Sequence, residues 1–139
     1  MLRQMVPEDR DVYFAAAGVA SVRWDQKGQL VLVEWEGWAD STEFGALLEA
    51  EVSALKEHRG SRLLADCRRQ KVLRPDDQRA DTEWLPRAIG AGLKRLAIVL
   101  PKSGLAATNI RDRFDNAAKA TLEIAYFQGL DEARAWLTR

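Results

Sequence analysis

The chain has little of what most chemistry requires. Of its 139 residues, one is cysteine (Cys67) and one is histidine (His58). A single cysteine excludes an intrachain disulfide and any cysteine-based zinc cluster, and a single histidine excludes a multi-histidine metal site. No apolar run approaches the roughly 20 residues that cross a bilayer, and "MLRQMVPEDRD" lacks the apolar centre of a signal peptide. Charge of either sign is not in excess: Lys plus Arg number 21, as do Asp plus Glu. No overall field therefore draws nucleic acid or an anionic membrane. Internal repeats, low-complexity tracts and Gly/Ser linkers are absent. These absences lead us to expect one domain over 1–139, cytoplasmic, with 1–11 a loosely ordered start and no cofactor.

What is present is periodicity. "VASVRWDQKGQLVLVEWEG" alternates at period two on both sides of Asp25-Gln26-Lys27-Gly28 and predicts a β-hairpin. A four-residue loop pairs Trp24 with Gln29 and Val22 with Val31. Ala20, Val22, Trp24, Val31, Val33 and Trp35 then share the core face, with Trp24 and Trp35 at opposite ends. A helix is expected from about Asp40 to His58, capped by Asp40 or Ser41, with Gly60 as its left-handed terminator. Phe44, Leu47, Leu48, Val52 and Leu55 form its apolar stripe. "SRLLAD" and "KRLAIVL" predict buried strands. Between them lies a helical stretch interrupted by Pro86 and ended by Gly90 and Gly92. A helix over about Ala107–Lys119, the strand "LEIAYF" and the helix "LDEARAWL" complete the chain. Hairpin followed by α-β-α-β-α-β-α predicts an α/β sandwich with a mostly parallel sheet and an antiparallel hairpin at its start.

Several segments carry a resemblance in that order: "VEWEGWADSTEFGALLE", "RLLADCRRQKVLRPDD", "EWLPRAIGAGLKRLAIVLP" and "EIAYFQGLDEARAWL". From about residue 19 to the end they resemble the STAS-like fold of bacterial anti-sigma-factor antagonists (SpoIIAA-like). That fold is also noted for likeness to lipid-transfer domains of the CRAL-TRIO type. The resemblance implies a non-enzymatic regulatory module. It departs from the antagonists at one point. Their phosphorylatable serine enters the helix after the second main strand, whereas "VLRPDDQRAD" holds no Ser or Thr before Thr82. Asp76 and Asp77 place fixed negative charge there, and helix capping accounts for them.

Cys67 and His58 form no dyad. They fall at opposite edges of the sheet, roughly 20 Å apart at 3.3 Å per strand residue. Cys67 is read as a small buried filler, although Arg68 and Arg69 beside it would activate a thiolate. Glu51 lies about 20° from Phe44 on the helix wheel, within the apolar stripe; its long side chain is expected to reach solvent or the helix to pack slightly rotated, with a buried acid or ligand contact as the alternative. Trp24, Trp35 and Trp136 fall on apolar stripes, whereas Trp38 and Trp84 lie near element starts and are expected to be partly exposed.

The charge balance hides an asymmetry. Residues 59–74 hold six basic residues against Asp66, and residues 40–57 hold five acids against Lys56. Ligands of open α/β sheets bind beyond the strand carboxyl ends. The candidate binding residues are therefore Arg68, Arg69, Lys71, Arg74, Asp76, Asp77 and Trp84, with a solvated loop as the plainer reading. The expected partner is a protein, which would meet the basic loop and the following helix start. A small amphipathic anion is the alternative, its apolar part between the later helices, and a second copy of the chain is a further candidate.

Overall fold

A computed structural model describes residues 11–117 and 121–139. The expected loose segment falls almost wholly outside this range, as does the expected helix end at Lys119. The chain runs β1 (Val12–Ala16), β2 (Ala20–Asp25), β3 (Leu30–Trp35), α1 (Ser41–His58), β4 (Arg62–Asp66), α2 (Pro75–Gly90), β5 (Arg95–Val99), α3 (Gly104–Ala117), β6 (Glu123–Phe127) and α4 (Leu130–Thr138). The six strands lie in sequence order. The first three are antiparallel and the rest parallel.

This order decides where the helices go. Each parallel crossover moves one strand in the same direction, and right-handed crossovers then place α1, α2 and α3 on one face. The opposite face is left to α4. Two cores follow from this arrangement. The larger gathers Val22, Val33, Leu63, Leu96 and Ile98 beneath Phe44, Leu47, Leu55, Leu85 and Phe114. The smaller places Leu30, Leu32, Leu64, Ala97 and Val99 beneath Ala133 and Leu137 of α4. Alternate residues of β3, β4 and β5 thus enter different cores, which explains their unbroken apolar runs.

Several expectations need correction. β1 was not foreseen, because "VYFAA" does not alternate, and its pairing with β2 is irregular between Val12 and Phe14. In the hairpin, Trp24 pairs with Val31 and Val22 with Val33, so the loop is Gln26–Gln29. The slip is two residues, which preserves which side chains face the core. Asp25 sets this register by accepting the backbone N–H groups of Lys27 and Gly28, and Gln29 takes the positive φ of 54°. At the end of α1 the left-handed residue is Arg59 (φ 52°), with Gly60 N–H donating to Leu55 C=O at 2.8 Å. Gly60 is needed for space instead. A Cβ there would lie 2.8 Å from the Trp24 ring.

Pro86 does not interrupt α2, which continues through it to Gly90. The proline removes one donor from the ladder, and burial of Trp84, Leu85 and Ala88 holds the helix on both sides of it. α3 begins earlier than expected because Ser103 caps it, its Oγ accepting Ala106 N–H at 3.4 Å. Trp136 is only partly buried, its ring covered by the Arg95 guanidinium at 4.2 Å.

Candidate functional site

Three consecutive loops leave the carboxyl ends of β3, β4 and β5 at one edge of the sheet. Backbone bonds hold them to the sheet and to one another. Cys67 N–H donates to Val99 C=O at 2.9 Å, Gln70 N–H to Cys67 C=O at 3.1 Å and Lys71 N–H to Gly37 C=O at 3.2 Å. The last bond ties the β4–α2 loop to the β3–α1 loop. Leu73 is buried and anchors the far end of the β4–α2 loop.

Arg68 turns back onto the strand it follows. Its Nε and Nη2 donate to Asp66 Oδ1 and Oδ2 at 2.9 and 2.8 Å, and its backbone N–H also reaches Oδ1. Burial pushes the Asp66 carboxyl up, but the Arg68 bonds and charge outweigh it and hold the group below the usual carboxylate range, with Arg69 adding to the field. This pair forms one wall of an open trench of about 470 Å³ on the half of the sheet that α4 leaves bare. Arg69, Ser21 and the ion pair of Arg23 with Glu34 (2.8 Å) complete that trench.

Arg69, Lys71 and Arg74 are exposed and make no ion pair among the described residues. Arg74 is the N-cap of α2, with Pro75 in the first turn. The two aspartates that follow have separate roles. Asp76 is exposed and pairs with Arg79 at 3.3 Å. Asp77 is buried and accepts from Ser41 Oγ at 3.3 Å, locking the start of α2 to the start of α1. Gln78 locks it on the other side, donating to Leu73 C=O at 2.7 Å and accepting from Asn109 at 3.2 Å. Asn109 in turn accepts from Arg113 at 3.1 Å.

Trp84 is buried at 4% exposure, against the expectation of partial exposure. It points inward, to a small cavity of about 30 Å³ between the sheet and α1–α3. Glu51, Cys67, Gln70 and Arg113 also line this cavity. Glu51 is therefore inside, and the expectation that it reaches solvent is corrected; walls of Phe44, Leu47 and Leu48 enclose it. Cys67 is buried as expected, and His58 stacks on Trp24 (4.4 Å, 2°) at the opposite sheet edge.

The predicted site residues thus divide. Arg69, Lys71 and Arg74 share the rim, Arg68 is committed to Asp66, and Asp77 and Trp84 are internal. Sequence reasoning foresaw the exposure of Trp38 but missed that Val72 and Leu105 join it at that rim. Among the described residues the exposed large hydrophobics are Val12 (40%), Trp38 (41%), Val72 (49%) and Leu105 (79%). The last three lie at the carboxyl edge, one on each loop or at the helix start that follows it. A readable signal existed: each falls outside the apolar stripe of its neighbouring helix.

Fold and edge together define an α/β domain with a closed core, one bare half-face and a basic–apolar rim. The SpoIIAA-like family model matches residues 30–138, and the chain belongs to that family. No curated protein matches the chain significantly. No helix among the described residues is long and apolar enough to cross a membrane.

Proposed function

We propose that the domain is a non-enzymatic, cytoplasmic regulatory module that binds an acidic protein partner at the carboxyl edge of its sheet. The observation that carries this reading is the company of Trp38, Val72 and Leu105 on adjacent loops, among the uncommitted cations Arg69, Lys71 and Arg74. Exposed apolar side chains rimmed by charge mark protein contact surfaces. Switching by phosphorylation at the antagonist serine is not part of the proposal, since residues 72–81 contain no serine or threonine. The expected capping role is corrected, since the N-cap Arg74 makes no side-chain cap bond; Asp77 anchors to Ser41 and Asp76 pairs with Arg79 instead. The carrier reading has less support. A drug-sized or lipid-like ligand needs a mostly apolar cleft or cavity of roughly 300 Å³ or more; the mainly apolar cavity between the sheet and α1–α3 is about 30 Å³, and the larger trench is lined mainly by charged side chains.

The test is native mass spectrometry of the chain purified from its own host, with Val72→Asp/Leu105→Asp as the rim variant. Lys94→Ala, exposed before β5 at the other edge, is the control. A protein adduct should persist in wild type and control and vanish in the rim variant. A lipid-sized adduct retained by all three would replace this reading with the carrier. A protein adduct retained by the rim variant, including a second copy of the chain, would place the interface elsewhere.

A further inference from the structure

Two of the side chains that line the small cavity beneath the rim, Trp84 and Gln70, each bring a polar atom that the protein does not answer. Trp84 is 4% exposed and Gln70 8%, and both face the cavity. Neither Trp84 Nε1 nor Gln70 Oε1 has a hydrogen-bond partner among the described residues. One is an obligate donor and the other an acceptor. Buried groups of this kind are almost always satisfied, by protein or by ordered water. Isolated burial of an indole N–H is avoidable, since phenylalanine would supply the same apolar bulk without the donor.

Size selects the guest. The space open to water centres in the cavity is about 30 Å³, room for a small number of waters, each of which needs two to four polar neighbours. Two waters fit, whereas an organic ligand of several heavy atoms does not. Apolar cavities stay dry, but here Glu51 and Arg113 face the same space as the indole and the amide. We propose that this cavity is a built hydration site, in which two water molecules bridge Trp84 Nε1–H to Gln70 Oε1.

The site has a mechanical consequence. Gln70 belongs to the β4–α2 loop, and Trp84 lies in α2 beyond it. Direct bonds already hold the later part of that loop, through Gln78 to Leu73 C=O. The earlier part has backbone bonds at Gln70 and Lys71, and the bridge adds a side-chain tie beside them, next to the exposed Arg69 and Lys71. The waters therefore act as an internal tie under the rim.

Nuclear Overhauser spectroscopy on the intact protein tests the site directly. The Trp84 indole proton, assigned by its loss in Trp84→Phe, should show a negative cross-peak to long-lived water. A crystal structure at near-atomic resolution should place two waters within about 3 Å of Trp84 Nε1 and Gln70 Oε1. Absence of the cross-peak, a dry cavity, or a direct Trp84–Gln70 bond would overturn the proposal. Trp84→Phe and Gln70→Met should each speed amide exchange in residues 68–73, and the double variant should do little more than either. Unchanged exchange in both single variants, or fully additive effects, would remove the tie.

Discussion

Asp66 is a carboxyl at which burial and attraction oppose each other. Burial alone would raise its pKa, yet the Arg68 fork and charge prevail and hold it below the usual carboxylate range. A depressed folded-state value contributes stability above the unfolded carboxylate range, and that contribution is lost as pH falls through the folded value. Arg68 is 45% exposed, which screens the pair. Asp66→Asn should therefore cost only about 1 kcal/mol at neutral pH. In urea denaturation the gap between variant and wild type should close in strongly acid solution; a gap independent of pH would show that the ion pair is not its source. Two glycines make a sharper contrast. Gly60→Ala drives a Cβ to 2.8 Å from a Trp24 ring that is already stacked on His58, so the ring has little room to yield. Overpacking of this kind costs about 1–3 kcal/mol. Gly45 sits within α1 with nothing within 4 Å of a new Cβ, and Gly45→Ala should stabilise by about 0.5–1 kcal/mol. The two substitutions are chemically identical, and thermal denaturation should move in opposite directions.

At the level of the element, α1 shows what a local pattern can specify. Asp40 accepts Glu43 N–H at 2.8 Å while the Glu43 side chain accepts Asp40 N–H at 3.0 Å, completing a capping box. Asp40→Ala should cost about 1 kcal/mol in chemical denaturation, and no change would mean that packing alone fixes the helix start. Elements with strong periodicity were legible for this reason: α1, β4, β5, β6 and α4 need only their own residues to be recognised. β1 was not, because its pairing with β2 supplies what its own sequence does not show. The continuation of α2 through Pro86 was likewise hidden, since burial of Trp84, Leu85 and Ala88 against other elements outweighs the lost donor. The site was half legible. Charge along the chain located the basic loop, but nothing local says that Arg68 folds back to Asp66 or that Asp77 meets Ser41, thirty-six positions away. Glu51 misled for the opposite reason. A long acidic side chain commonly escapes an apolar stripe, and only the packing of α1 on the sheet and beside α2 shuts that route.

For the whole molecule, the governing asymmetry is three helices on one face and one on the other. The bare half-face and the carboxyl rim are adjacent consequences of strand order, and the rim owes its cations to loops that the crossovers must make. The two edges of the sheet carry an independent reporter. The chain has two tyrosines, Tyr13 on edge strand β1 and Tyr126 on edge strand β6. Burial and then a bond to Glu57 at the end of α1 raise the Tyr13 phenol to about 12. Burial and then Asp115 of α3, accepting from Tyr126 Oη at 2.7 Å, push the Tyr126 phenol higher still. Each group therefore keeps its proton in the folded chain at a pH where the unfolded chain, near 10, has released it. A raised folded-state value means stability fully present below about pH 10 and lost as pH rises towards the folded value. Absorbance titration should show almost no tyrosinate at pH 10 in the folded protein, followed by a rise that coincides with loss of the far-ultraviolet dichroism signal. Tyr126→Phe should cost about 1 kcal/mol at neutral pH through the lost bond, yet flatten the alkaline limb of the stability curve. Half-titration of either tyrosine near pH 10 with the fold intact would show that the corresponding strand edge is not closed against its helix.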